Sequence, residues 1–478
     1  MNAFKVFVGT VLGALVSACN LAPVYQRPAS PVSAAWPTGA AYPASDRGSA
    51  ALAGWESFYL DPSLRRLIRL GLDSNRDLRQ VALNAEAYRA LHRIQHAATL
   101  PDVAFNASEQ RQRVPGDLSP SGQSQVQTQY AIEAGASYEL DFFGKVKNLD
   151  RASLQLYLAS DEARQSASIA LIGSIADAYL TLRTDEALAE LVDATLQSYQ
   201  HSLRLVESNR QAGLVSSLAV RQARTLVLQA QTQQAGYIRQ VAQDLNALER
   251  LVGAPLPSDL PRPANLATAL ASDVPVGLPS DLLLRRPDIR AAEHVLQAAD
   301  ANIGAARAVF FPSVQLTAGA GTASASLDGL LGAGSGAWHF MPTVSLPIFN
   351  AGRLKANEAY ADIKQQSAVA SYEATIQQAF REVADGLAAR GTYTLQLSTQ
   401  ESDVRNADEY VALSQARFAQ GLDGYLVVLD AQRTLFAARQ HLLASRREQL
   451  SAEVALFRAM GGGWDADRSL EVAYGARK

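Results

Sequence analysis

The chain is written twice. Asp77-Leu78-Arg79 returns as Asp288-Ile289-Arg290, 211 positions on (288 − 77). At the same offset Leu100-Pro101-Asp102-Val103 meets Phe311-Pro312-Ser313-Val314. Further along, Gln211-Ala212-Gly213-Leu214 meets Ala419-Gln420-Gly421-Leu422 at an offset of 208 (421 − 213), and Val252-Gly253 meets Met460-Gly461 at the same 208. Two near-equal registers with one small slip describe a tandem duplication with a single short length difference. Such a chain is expected to fold as two like halves in a pseudo-symmetric architecture, not around one enzyme pocket.

The N-terminus bears on the compartment. Lys5 precedes an apolar run over 6–15, and Val16-Ser17-Ala18 sets small residues before Cys19. A secretory signal needs the small residues but not the cysteine. With it, the stretch resembles a bacterial lipobox, which makes 1–18 a lipoprotein signal peptide and Cys19 the lipidated first residue. Cys19 is the single cysteine of the chain, so no internal disulfide forms. Asn20 follows it, where Asp would resemble an inner-membrane retention signal, so the expected anchor is the outer membrane. A formal net charge of −3 gives no reason to expect a nucleic-acid partner. Beyond the signal no apolar run approaches the roughly 18–20 residues of a membrane helix. A bilayer would have to be crossed by strands.

Residues 19–61 read as an extended leader rich in Pro, Ala and Ser. The first structural repeat spans 62–253 and the second 287–463. Between them 254–286 reads as a proline-punctuated linker without regular structure, and 464–478 is a C-terminal tail. Each repeat opens with a helix, 62–99 and 287–309, that stops at Pro101 or Pro312, because proline lacks an N–H and pushes its predecessor out of the α region. The period then changes to 2 in a predicted β-hairpin, 102–140 and 313–347. Tyr130, Ile132, Ala134, Ala136, Tyr138 and Leu140 alternate with Ala131, Glu133, Gly135, Ser137 and Glu139. Trp338, Phe340, Pro342, Val344 and Leu346 alternate with His339, Met341, Thr343 and Ser345. One apolar face and one small or polar face suit a tilted membrane strand of about 10 residues. A soluble hairpin lying on a core is the alternative these segments leave open. A long helical hairpin comes next in each repeat, 149–253 and 353–463. Its first limb lacks proline for roughly 63–68 residues, about 95–100 Å at 1.5 Å per residue. The chain turns back at Gly213 and at Gly421.

Two hairpins give four strands per chain. An open four-stranded sheet leaves two edges, whose unpaired backbone groups cost several kcal/mol each in lipid. Closure then requires several subunits around an axis. Two chains would give eight strands with a filled interior and three would give twelve, enough for a pore.

Further motifs carry a family resemblance. Cys19-Asn20-Leu21-Ala22-Pro23 and Tyr25-Gln26-Arg27-Pro28 resemble the start of the lipoprotein branch of the TolC-like outer-membrane factor family of efflux channels. Tyr138-Glu139-Leu140-Asp141-Phe142-Phe143-Gly144-Lys145 resembles that branch's strand-to-helix corner. So do Leu283-Leu284-Arg285-Arg286-Pro287-Asp288-Ile289 and Leu346-Pro347-Ile348-Phe349-Asn350-Ala351-Gly352. The run from Gly421 to Gln432 is similar to the family's hairpin tip. The resemblance implies an α+β membrane protein: a homotrimer with a twelve-stranded barrel in the outer membrane, continued by a helical barrel across the periplasm. It implies the exit duct of a tripartite pump, with a periplasmic adaptor and an inner-membrane transporter as partners and drugs or other small toxic solutes as cargo. A protein-secretion duct and a non-channel structural lipoprotein are the alternatives. The resemblance places an acidic periplasmic gate at Asp430, with Tyr425 and Leu426 as bulky neighbours. It places the adaptor-contacting tips at Gly213, Leu214, Val215, Gly421, Leu422 and Asp423. At Asp423 and Val427 the chain departs from the family's gate charges.

No enzymatic motif emerges. His92 and His96 have metal-ligand spacing on a helix but no companion Glu in the His-Glu-x-x-His pattern, and they read as solvated histidines. Asp141-Phe142-Phe143-Gly144 lacks every other kinase element, and Gly461-Gly462-Gly463 reads as a helix stop. No cofactor is expected beyond the covalent lipid on Cys19.

Overall fold

The computed structural model describes residues 20–42, 54–261, 266–271, 277 and 279–462. Cys19, the expected signal peptide 1–18 and the tail 464–478 lie outside the described residues. A short helix α1 (Trp55–Phe58) leads into α2 (Pro62–Ser74) and α3 (Arg76–Ala97). Pro62 stands in the first turn of α2, where its missing N–H leaves nothing unsatisfied. Asp61 caps that helix, accepting from the backbone N–H of Ser63 at 2.7 Å and of Leu64 at 3.3 Å. The single helix expected over 62–99 is therefore two, broken at Asn75. Asn75 is extended and its Oδ1 accepts from the N–H of Leu78 at 2.7 Å, capping α3.

The second repeat breaks at the matching place. Its helices are α6 (Pro279–Arg285) and α7 (Pro287–Ala308), and Arg286 between them lies 211 after Asn75 (286 − 75). This corrects the reading of 254–286 as irregular, since a 3-10 turn (Leu266–Thr268) and α6 occupy part of it. Pro279 and Pro287 are helix starts, not breaks, because proline is tolerated in a first turn. Sequence position alone does not separate the two roles.

Between these helices come the long limbs. Helix α4 (Lys145–Gln211) turns into α5 (Ser217–Val252), and later α8 (Arg353–Ala419) turns into α9 (Tyr425–Ala459). Helices α4 and α8 are each 67 residues long. Asn75 Nδ2 donates to the carbonyl of Leu251, at the end of α5, at 2.6 Å. Arg286 Nη1 donates to the carbonyl of Ala459, at the end of α9, at 3.0 Å. The acceptors are 208 apart (459 − 251), so both copies fasten the end of the returning helix with the residue at the break. Arg286 is also ion-paired to Asp288 at 2.6 Å and Glu382 at 2.7 Å.

The four strands β1 (Asp102–Val114), β2 (Gln125–Leu140), β3 (Ser313–Ser324) and β4 (Gly336–Ser345) form one antiparallel sheet in the order β1-β2-β3-β4. They also locate the slip in the duplication. Strand β2 has 16 residues and β4 has 10, a loss of six. Helix α4 starts five positions after β2 ends (145 − 140) and α8 starts eight after β4 (353 − 345), a gain of three. The net loss of three is the drop from 211 to 208.

By backbone proximity the chain divides into two compact units. The first joins the leader to Ala29 with Asn84–Asp161 and Ala291–Glu373, and it holds the sheet. Its helices meet mostly through small residues, Ala152 of α4 with Ala298 and Ala301 of α7, and Ile303 and Ala306 of α7 with Ala361 of α8. The leader is fastened here. A Cβ added at Gly304 would lie 2.6 Å from the Cβ of Ala22 and 2.6 Å from Asn148 Nδ2, so only glycine admits this close approach. Further along, Tyr25 OH and Arg27 Nη2 both donate to Glu293 Oε1 at 2.8 Å.

The second unit joins Ser30–Leu83, Glu162–Arg290 and the chain from Ala374 onward. Leu64, Leu67, Ile68, Ile175, Tyr179 and Leu248 are fully buried there. Phe58 stacks on Phe457 at 4.1 Å between ring centroids, and Tyr179 OH donates to Asp61 Oδ2 at 2.6 Å. The core thus sits where the helix breaks and the ends of the returning helices meet.

Candidate functional site at the sheet and the hairpin tips

Strand register decides what each face of the sheet can do, because directly paired residues share a face. Phe105 pairs with Ala134, Ala134 with Ala320, and Ala320 with Trp338. The next row on that face is Val103, Ala136, Ala318 and Phe340. Tyr138, Leu316 and Pro342 form another. The opposite face runs Ala104, Gly135, Gly319, His339, and beside it Asn106, Glu133, Gly321, Ala337. Over these rows four strands from two distant segments put most of their apolar side chains on one side, while farther along β1 the same side carries Glu109, Arg111 and Arg113. That side is open: Phe105 is 73% exposed and Trp338 79%.

The small-residue face carries charge sparingly. Glu139 is neutralised by Lys145 at 2.8 Å. Glu133 lies 3.6 Å from His339 Nδ1.

At the hairpin tips the two copies use one turn twice. Gly213 and Gly421 have φ of 79° and 73°, which a side chain would oppose. Leu214 N–H donates to Asn209 O at 2.8 Å and Leu422 N–H to Arg417 O at 3.0 Å, the acceptors again 208 apart (417 − 209). Leu214 and Leu422 are exposed, while Val215 packs on the tip core. The helices after the two turns differ. Ser216 caps α5 through its hydroxyl, whereas Gly424 at the same place before α9 offers no side-chain cap. Asp423 instead accepts from Arg417 Nε at 2.6 Å, and this guanidinium holds its carboxyl below the usual range.

The three residues assigned to the gate turn to different surroundings. Tyr425 is buried, edge-on to Phe418 at 5.1 Å between centroids, in a cluster with Tyr199, Val206 and Val428. Burial pushes its phenol pKa up. Leu426 is exposed. Asp430 is half-exposed and accepts from Arg433 Nη2 at 2.7 Å. Gln432 Nε2 donates to Ser202 Oγ at 3.1 Å, tying the second hairpin to the first. Sequence reasoning missed Arg417, Arg433, Ser202 and Gln432. The i,i+3 spacing of Asp430 and Arg433 on a helix was the available signal.

His96 is a solvated histidine, 60% exposed, whereas His92 is half-buried. His92 Nδ1 lies 3.1 Å from Ser153 Oγ, and His96 Nδ1 lies 3.3 Å from Asp150. Among the described residues no group of three His, Cys, Asp or Glu side chains is arranged to hold a metal ion. Among them, too, no helix is long and apolar enough to cross a membrane.

The chain thus combines one amphipathic four-stranded sheet with two copies of a long helical hairpin. The profile of the outer membrane efflux protein family matches residues 67–254 and 278–462. The solvent efflux pump outer membrane protein SrpC of Pseudomonas putida is 53% identical over 458 residues, covering 95% of this chain and 97% of that one. The antibiotic efflux pump outer membrane protein ArpC, also from Pseudomonas putida, is 48% identical over 453 residues, 94% of each chain. The open state of the MtrE outer membrane channel of Neisseria gonorrhoeae superposes with a TM-score of 0.84 at 36% identity, covering 93% of this chain and 98% of that one. The chain belongs to the outer membrane efflux protein family. It is an efflux channel protein of the outer membrane.

Proposed function

We propose that three copies close their sheets into a twelve-stranded barrel and form the passive exit duct of a tripartite pump. The rows of apolar side chains on one sheet face carry this reading, since that face suits lipid and the small-residue face suits a bore. Four strands leave two edges, and a cyclic trimer pairs them with neighbours. Cys19 carries the lipid and the leader straps the chain from anchor to helices. The tips at Gly213, Leu214, Val215, Gly421, Leu422 and Asp423 meet a periplasmic adaptor, which links the duct to an inner-membrane transporter. Asp430, Tyr425 and Leu426 belong to the closure near those tips. SrpC and ArpC are named for solvent and antibiotic efflux, so the cargo proposed here is small toxic organic solutes.

The test joins two measurements. Purified protein in planar bilayers should give discrete ion-conducting steps, and deleting the gene should sensitise cells to organic solvents or antibiotics. A protein without conductance, whose loss leaves susceptibility unchanged, would refute the duct.

A further inference from the structure

On the small-residue face the described strands carry four ionisable side chains: Asp102, Glu133, Glu139 and His339. Asp102 is the first residue of β1, at the edge of the sheet's span. Glu139 is compensated by Lys145. The other groups on that face near the pair are Asn106, Ala104, Gly135, Gly319, Gly321, Thr317 and Met341, none of them ionisable. Glu133 is thus the one carboxylate in the middle of the face, and His339 is the one group there able to offset it.

The contact between them is built into the backbone. His339 is on β4 and Glu133 on β2, so the two side chains must cross β3. They cross at Gly319, where an added Cβ would collide with His339 Cε1 and stand 3.0 Å from Glu133 Oε2. Any side chain at this position would separate the pair. On the other flank Glu133 pairs with Asn106 across the strands. Both His339 and Glu133 are part-exposed, 45% and 37%, so solution reaches them.

We propose that Glu133 and His339, joined across Gly319, set the ion preference of the bore and make it respond to pH. This rests on the reading of the small-residue face as the bore lining. With the imidazole neutral, three symmetry copies of Glu133 face a wall of uncharged small side chains and draw in cations while repelling anions. With the imidazole protonated, each pair sums to zero and the preference fades.

The experiment uses the full-length protein from outer membranes, reconstituted in planar bilayers under a KCl gradient, with the zero-current potential read as a K+ to Cl− permeability ratio. Acidifying only the strand-side compartment from about pH 8 to about pH 5 spans the histidine charge change. The wild-type ratio should fall about threefold or more. His339→Gln should keep the high ratio at both pH values. Glu133→Gln should lower the ratio at the higher pH, and Glu133→Asp should retain it. A Glu133→Gln channel with the wild-type ratio, or a His339→Gln channel that keeps the full pH step, overturns the assignment. If the Glu133 variants are not recovered in membranes, the pH step of His339→Gln alone decides. Absence of any wild-type conductance overturns the bore itself, a distinguishable result.

Discussion

Asp185 on α4 lies against Asp244 on α5, and burial together with that neighbouring carboxylate pushes Asp185 up to about 6. The sign of the consequence is fixed. A carboxyl raised in the folded state binds its proton more tightly there than in the unfolded chain, so stability falls as pH rises from the ordinary aspartate value of about 3.9 to about 6. Thermal unfolding in detergent should therefore be easier at neutral than at mildly acidic pH, and Asp185→Asn should flatten that slope. An unchanged slope would count against the pair. At the tip, Tyr425→Ala should remove about 3 kcal/mol of packing, as for other large buried aromatics, loosen α9 from the first hairpin and raise resting conductance. Asp430→Ala should release Arg433 and change block by divalent cations. Single-channel recording checks both, and two mutants with wild-type conductance and block would remove these residues from the closure. The tip positions were legible because glycines at repeat-equivalent places must turn. The direction of the Tyr425 ring was not, since its partners Tyr199 and Val206 come from a helix more than two hundred positions away.

The strands were the most legible elements. A period of 2 names the face of every residue once the first is placed, and the register aligns those faces across all four strands. Leu316→Arg should cost about 2–4 kcal/mol if that side meets lipid at mid-depth, whereas Thr317→Arg, one residue on, should fold and alter conductance. Yield of heat-stable membrane-inserted protein separates the two, and the reverse order would invert the assigned faces. The helix breaks were less legible. Asn75 shows a capping residue type, yet the helical pattern continues on both sides. Arg286 has no such signature and acts through a carbonyl 173 positions distant. The two copies solve one problem with different chemistry, a neutral amide in the first and a guanidinium with two carboxylates in the second. Only the spatial equivalence of Leu251 and Ala459 makes that visible.

For the whole molecule, the duplication governs which lengths are kept and which drift. Strand β4 and the corner after it absorb the net loss of three residues, because a strand end and a loop can shorten without rotating the helix beyond them. The long limbs cannot. Both α4 and α8 have 67 residues, and the tips they carry pack against each other through Tyr425, Tyr199 and Gln432–Ser202. A single residue added within α8 would advance everything beyond it by about 1.5 Å and swing it by about 100°, turning the packed tip residues outward. Seven residues added to every limb of both hairpins would instead bring each face home after nearly two full turns. The first variant should lose protease-resistant protein and the second should keep it. Failure of the matched insertion, or survival of the single one, would deny this dependence. Each hairpin is in this sense a gauge for the other, and the duct can change its reach only by amounts that both copies adopt together.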